Sequence, residues 1–353
     1  MRKLLFNLHL YLALAAGVFV IILGVTGAIM AFEPELDHVM HPRLSYVKPQ
    51  GRAMSLAEIA AAVGKAYPGE RIGGFLIATD PSLSYAVSLR PGVVSVNPYS
   101  GEILGVRPPG IDFLGRVHQL HLRLLLRDRG DTGKKIVSWV GVVILFLLLS
   151  GLYLWWPYKR VTVARGASGF RLWFDLHNTV GIFSFVFLLL LSFTGVMIGF
   201  EESTVPLMYK WTGSEPSKRP PQPPPPPPGA KPISPDQAIE IARQAIPGAT
   251  PFQINIPGPR AAYQIRSRFP EDLTPGGRSA VIIDQYTGKV LFAEGSRTAP
   301  AGARMVIQNR ALHTGDILGI PSKTVMSLAC LMLVLQAVSG VGMWWKRARK
   351  KRA

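Results

Sequence analysis

The chain has 353 residues, 48% hydrophobic and 17% charged, with 39 Lys and Arg against 21 Asp and Glu for a formal charge of +18. Its apolar residues are gathered into four long runs instead of being spread as a soluble core requires, which excludes an ordinary soluble enzyme. The positive charge flanks those runs, so it reads as membrane topology, and no nucleic acid is expected as a partner.

In chain order, Arg2 and Lys3 precede a first apolar run, Leu10 to Phe32. Ala13, Ala15 and Ala16 offer small residues for signal cleavage, but the run is too long for a cleaved signal peptide. An outer segment follows, with a helix over 56–67, strands over 85–90 and 93–98, and a turn at Pro98 to Gly101 leading into Glu102-Ile103-Leu104. Ile136 to Trp156 is the second run, and Lys159, Arg160, Arg165 and Arg171 separate it from the third, Asn178 to Phe200. Gly213 to Pro232, with its proline run at 223–228, reads as a solvated polyproline-like spacer. The second outer segment has a helix over 236–246, strands over 262–268 and 279–284, and a turn at Gln285 to Gly288 leading into Lys289-Val290-Leu291. Thr324 to Trp345 is the last run, followed by Lys346, Arg347, Arg349, Lys350, Lys351 and Arg352.

Each run is 21 to 23 residues long and free of Asp, Glu, Lys and Arg, enough to cross a bilayer as a helix at about 1.5 Å per residue. The positive-inside rule then puts both termini and the 161–175 loop in the cytoplasm of a bacterial inner membrane, with residues 33–133 and 201–322 in the periplasm. Trp155, Trp156, Trp344 and Trp345 mark the inner interfaces.

The chain is a duplication. Leu8 to Glu33 aligns without a gap to Leu176 to Glu201, sharing Leu-His, Val-Phe, Thr-Gly and Phe-Glu pairs. Ser150-Gly151 to Trp155-Trp156 matches Ser339-Gly340 to Trp344-Trp345, and Leu120-His121 matches Leu312-His313. The fold class expected is a membrane α-helical protein, four transmembrane helices in two parallel repeats with two periplasmic α+β modules. Its segments are helix 1 (1–33), outer module 1 (34–115), a short outer helix and helix 2 (116–160), a cytoplasmic loop (161–175), helix 3 (176–202), a Pro-rich linker (203–233), outer module 2 (234–305), and a short outer helix, helix 4 and basic tail (306–353).

Histidines in or beside membrane spans are expensive to bury and point to function. Four of the seven occupy equivalent places. His9 and His177 lie at the cytoplasmic ends of spans one and three, and His121 and His313 precede spans two and four outside. Opposed imidazoles suit a six-coordinate b-type haem, each filling one axial position. The single cysteine, Cys330, lies in mid-span, so no C-x-x-C-H attachment exists and any haem is held non-covalently.

Gly27 and Gly195 come 18 residues after His9 and His177, about 27 Å along a helix, near the outer pair. Gly151 and Gly340 lie near the inner pair. All four are read as notches for a flat macrocycle, with plain helix packing as the alternative. His118, three residues before His121, is a second candidate ligand or a supporting residue; its counterpart is Arg310. His38 and His41 have no counterparts and read as surface residues. Arg116, Arg123 and Arg310 outside, and Arg2, Lys3 and Arg171 inside, could meet haem propionates.

Leu-His opening span one, Thr-Gly within it, Leu120-His121 to Leu124, Ser-Gly-x-x-x-Trp-Trp closing span two, and two [Val/Ile]-[Asn/Asp]-x-Tyr-[Ser/Thr]-Gly-x-[Ile/Val]-Leu stretches together resemble the PepSY-associated transmembrane proteins, also called iron-regulated or PiuB-like. The resemblance covers nearly the whole chain and rests on the ordered combination of motifs. It implies that the outer modules are PepSY-type, that His9, His177, His121 and His313 ligate two haems b, and that a ferric siderophore is reduced in the periplasm. The Leu-x-x-Leu continuation is degraded after His313, where Thr314-Gly315-Asp316 follows.

The expected function is therefore an inner-membrane di-haem oxidoreductase, with ferric siderophore as substrate and lipid around its spans. Arg90, Arg266, Arg268, Tyr85 and Tyr263 are candidates to meet an anionic chelate. No G-x-G-x-x-G or P-loop pattern occurs, so the electron donor is separate, a cytoplasmic flavoprotein or quinol. The alternatives are a non-haem membrane regulator, acting in protease inhibition or sensing, and a siderophore permease component.

Overall fold

A computed structural model describes residues 1–350 apart from 109–111, 127–128, 160 and 218–219; Arg160, Lys351 and Arg352 of the basic flanks lie outside the described residues. In chain order the elements are α1 (Arg2–Met30), α2 (Glu33–Met40), α3 (Pro42–Ser45), α4 (Leu56–Ala66), β1 (Gly74–Leu76), β2 (Tyr85–Ser88), β3 (Val93–Val96), β4 (Ile103–Arg107), α5 (Phe113–Arg123), α6 (Thr132–Trp155), α7 (Gly169–Gly199), α8 (Glu201–Thr212), α9 (Pro235–Ala245), β5 (Thr250–Asn255), β6 (Tyr263–Arg268), β7 (Ser279–Ile283), β8 (Val290–Glu294), α10 (Ala301–Thr314) and α11 (Ile320–Lys350). They divide into two units.

The first unit comprises 1–33, 113–207 and 308 onward. Four of its helices, α1, α6, α7 and α11, are long and apolar enough to cross a membrane. Three of them, α1, α7 and α11, continue past the charge-free runs into the basic flanks and include Arg2, Arg171 and Lys350, whereas α6 ends at Trp155. Both α1 and α7 pack on α6 and on α11, which leaves α1 and α7 diagonally opposed. Ala16 and Val20 meet Val140 and Ile144 in the core. Small residues set the spacing: a Cβ on Gly24 would stand 2.9 Å from the Cys330 carbonyl oxygen, so α1 and α11 approach closely there.

The second unit comprises 34–112 and 208–307. Its helices α4 and α9 begin with the same device, a reciprocal capping box at Ser55/Glu58 and at Ser234/Gln237. Asp236 also accepts hydrogen bonds from the backbone N–H of Leu56 and Ala57, at 2.8 and 3.0 Å, at the start of α4, where a negative charge suits the helix dipole.

All eight strands form one antiparallel sheet in the order β4-β3-β2-β1-β5-β6-β7-β8. The two outer segments, expected as separate modules, thus share a sheet and a core that mixes Ile59, Val63, Phe75 and Val87 with Ile239, Ile254, Ile265 and Val281. The seam pairs Gly74 with Asn255, Phe75 with Ile254 and Leu76 with Gln253. Its strands, β1 and β5, were not expected from the sequence; β4 and β8 were not named as strands either, although the turns leading into 102–104 and 289–291 marked their place. Pairing removes what would otherwise be two open sheet edges. The stretch from 203, expected as linker, instead opens within helix α8.

Candidate functional site

The four repeated histidines all lie in the first unit, and each ring is held in the same way. His9 Nδ1 is 2.8 Å from Ser150 Oγ and His177 Nδ1 is 3.0 Å from Ser339 Oγ. His121 Nδ1 is 2.8 Å from Thr26 Oγ1 and His313 Nδ1 is 3.1 Å from Thr194 Oγ1. Each hydroxyl immediately precedes one of the notch glycines. Each also donates back into its own helix, Ser150 to the Phe146 carbonyl at 2.7 Å, Thr26 to Ile22 at 2.6 Å, Thr194 to Leu190 at 2.7 Å and Ser339 to Gln336 at 3.1 Å.

The glycines sit against imidazoles. A Cβ would stand 3.3 Å from His121 Cε1 at Gly27, 3.4 Å from His9 Cε1 at Gly151, 2.9 Å from His313 Cε1 at Gly195 and 3.6 Å from His177 Cε1 at Gly340. The notches, expected to admit a macrocycle, here make room for the ring edges of the histidines. The hydroxyls were missed from the sequence, although their place directly before each repeated glycine was visible.

His9, on α1, and His177, on α7, line one cavity of about 120 Å³ whose walls come from α1, α6, α7 and α11. The remaining lining is mainly apolar, including Ala13, Val20, Leu148, Phe185 and Leu333, with Asn178 and Gln336 as polar members. Gln336 donates through Nε2 to the His177 carbonyl at 2.9 Å, fixing its amide. Gly17 also lines this space, and a Cβ there would meet nothing within 4 Å.

His121 is carried by α5 and His313 by the last turn of α10. Burial pushes His121 down to about 3, the nearby His313 and His118 adding to the effect. Burial likewise pushes His313 down to about 4, with Arg310 contributing in the same direction. Both rings are neutral near pH 7, the form that binds iron. His118 differs: it bonds Glu33 at 2.9 Å, and that hydrogen bond holds it above the usual histidine range.

The arginines are not equivalent. Arg123 is ion-paired with Asp131 and Arg171 with Asp175. Arg2 donates to the Leu154 carbonyl at 3.0 Å, and Arg116 also has interactions. Arg310 Nε is buried without a hydrogen-bond partner among the described residues. In the second unit His41 and Arg107 both engage Asp37, and the His38 ring meets Tyr46 edge-on. Tyr263, considered for substrate contact, is a core residue at 3% exposure, its hydroxyl donating to the Ile233 carbonyl.

The two imidazoles and the apolar lining of the His9/His177 cavity are residue types that a haem site would use. Among the described residues no three His, Cys, Asp or Glu gather as metal ligands, whereas haem asks for only two axial imidazoles, apolar walls and a cation for its propionates. A comparison with curated proteins found no match. The family model described as the PepSY-associated TM region matches residues 6–347, and the chain accordingly belongs to the PepSY-associated transmembrane family.

Proposed function

We propose that this protein holds two b-type haems in a bacterial inner membrane, one between His9 and His177 and one between His121 and His313, and reduces a periplasmic ferric siderophore. The observation that carries this reading is the apolar cavity to which two diagonally opposed helices each contribute an imidazole. His9 with His177, and His121 with His313, would hold the two haems, which would supply single-electron transfer.

The chain's own residues do the rest. Four imidazoles are held by hydroxyls, and the unmet Nε–H of Arg310 offers a charge-assisted bond to a carboxylate. The basic residues at the ends of the spans support cytoplasmic termini and two outer PepSY-type segments in the periplasm, with each half repeating helix, α+β segment and helix. Fe(III) is bound by hard oxygen ligands, and conversion to Fe(II) weakens that binding and frees the iron. Electrons come from a separate cytoplasmic flavoprotein or quinol.

The absorption spectrum of purified full-length protein tests the reading. It should show a Soret band, and sharp α and β bands on reduction, that weaken in His9→Ala and His177→Ala. A colourless, well-folded preparation would overturn it and favour a membrane regulator.

A further inference from the structure

We infer that Ser150, Ser339, Thr26 and Thr194 are positioning residues that hold the four imidazoles in the Nδ1–H tautomer and so leave each Nε2 with its lone pair free for a metal. The inference deepens the haem reading, but its geometric basis is independent of any bound group.

A hydroxyl has one proton. In all four cases a carbonyl in the preceding turn of the same helix already receives it, at 2.6 to 3.1 Å. The hydroxyl oxygen that faces Nδ1 at 2.8 to 3.1 Å can then only accept. The opposite tautomer would set an Nδ1 lone pair against oxygen lone pairs in an apolar bundle, where an unmet polar contact is expensive. His313 gives a second indication, since its Nδ1 also lies 3.1 Å from the Leu191 carbonyl oxygen, which has no proton to give.

Back-bonding to the previous turn is ordinary for Ser and Thr in helices. Here it has the added effect of turning a donor into an obligate acceptor. Each following glycine lets the ring come close enough to use that acceptor. A metal-binding histidine is commonly oriented by the partner of its other nitrogen, and a hydroxyl does this without adding the charge that a carboxylate would bring into the membrane.

The test is solid-state nuclear magnetic resonance of full-length protein labelled with ¹⁵N-histidine in lipid bilayers, reduced with dithionite so that low-spin iron, where present, is diamagnetic. Resonances are assigned by single histidine replacements. The expected result is a protonated Nδ1 and an unprotonated Nε2 at His9, His121, His177 and His313. Thr26→Val, which keeps shape but removes the oxygen, should alter the His121 tautomer signal, whereas Thr26→Ser should keep it; Ser150→Ala should act likewise on His9. An Nε2–H form in the wild type, or a Thr26→Val spectrum identical to the wild type, would overturn the inference. Absorption spectra of the same samples report haem separately: in colourless protein the Thr26→Val comparison reads the tautomer itself, and in coloured protein, where iron on Nε2 would fix the Nδ1–H form, it reads the shift of that Nδ1–H resonance when its acceptor is lost. Where haem is present, losing the acceptor makes imidazole a poorer electron donor, and the midpoint potential should rise in Thr26→Val but not in Thr26→Ser.

Discussion

His313 lies so close to α7 that a Cβ on Gly195 would stand 2.9 Å from its Cε1, the tightest of the four glycine–imidazole contacts, whereas the matching distance between Gly340 and His177 is 3.6 Å. The four sites share a design but differ in tolerance. Gly195→Ala forces His313 to move, and the expected outcome is that it roughly halves haem content, because the site must shift to admit even one methyl group. Gly340→Ala places its methyl at ordinary contact distance and should leave haem content unchanged. Haem-to-protein ratios of the two variants check this, and equal losses would contradict it.

The His118–Glu33 pair gives a pH dependence with a definite sign. His118 is raised above its ordinary value of 6.5 by the hydrogen bond it donates to the Glu33 carboxylate. Its contribution to stability is therefore full below that value and is lost as pH rises through the folded-state value. The gap in thermal midpoint between wild type and Glu33→Gln should be widest at acid pH and close on the alkaline side. A gap that is constant, or that widens with rising pH, would be the wrong sign.

At the seam of the second unit, Ile254 is fully buried and pairs with Phe75 across β1 and β5. Ile254→Ala should cost about 2–5 kcal/mol. Because one core serves both outer segments, hydrogen exchange should speed up in β1–β2 as well as in β5–β6. Loosening confined to β5–β8 would mean that the segments do not share a core.

Much of this architecture was legible locally. The spans declare themselves because a charge-free stretch of membrane length has few other uses, and the histidines stand out because two similar stretches of sequence carry them at matching positions. The seam was not legible. β1 is three residues long and follows Gly73, while β5 contains Pro251 and a register shift, so neither shows a clean alternation, and their pairing joins residues about 180 positions apart in a way no local pattern encodes. Tyr263 was misjudged although β6 alternates plainly: Tyr263, Ile265 and Ser267 are buried, and Gln264 and Arg266 are exposed. The Ser and Thr hydroxyls have no local signal of their own, because such residues in apolar helices ordinarily bond back to the preceding turn and their imidazole partners lie on other helices.

Topology can be tested with the single native cysteine in place, since Cys330 lies within α11. In spheroplasts, Lys65→Cys should react with a membrane-impermeant maleimide, and Lys346→Cys should react only after lysis. The reverse pattern would invert the assigned orientation.

The most direct measurement is the haem stoichiometry of the purified protein and its four single histidine-to-alanine variants by pyridine haemochrome. Two haems per chain are predicted for the wild type, with one remaining in His9→Ala and in His177→Ala, and one remaining in His121→Ala and in His313→Ala. Protein without haem, or four variants that all retain the wild-type ratio, would contradict the account.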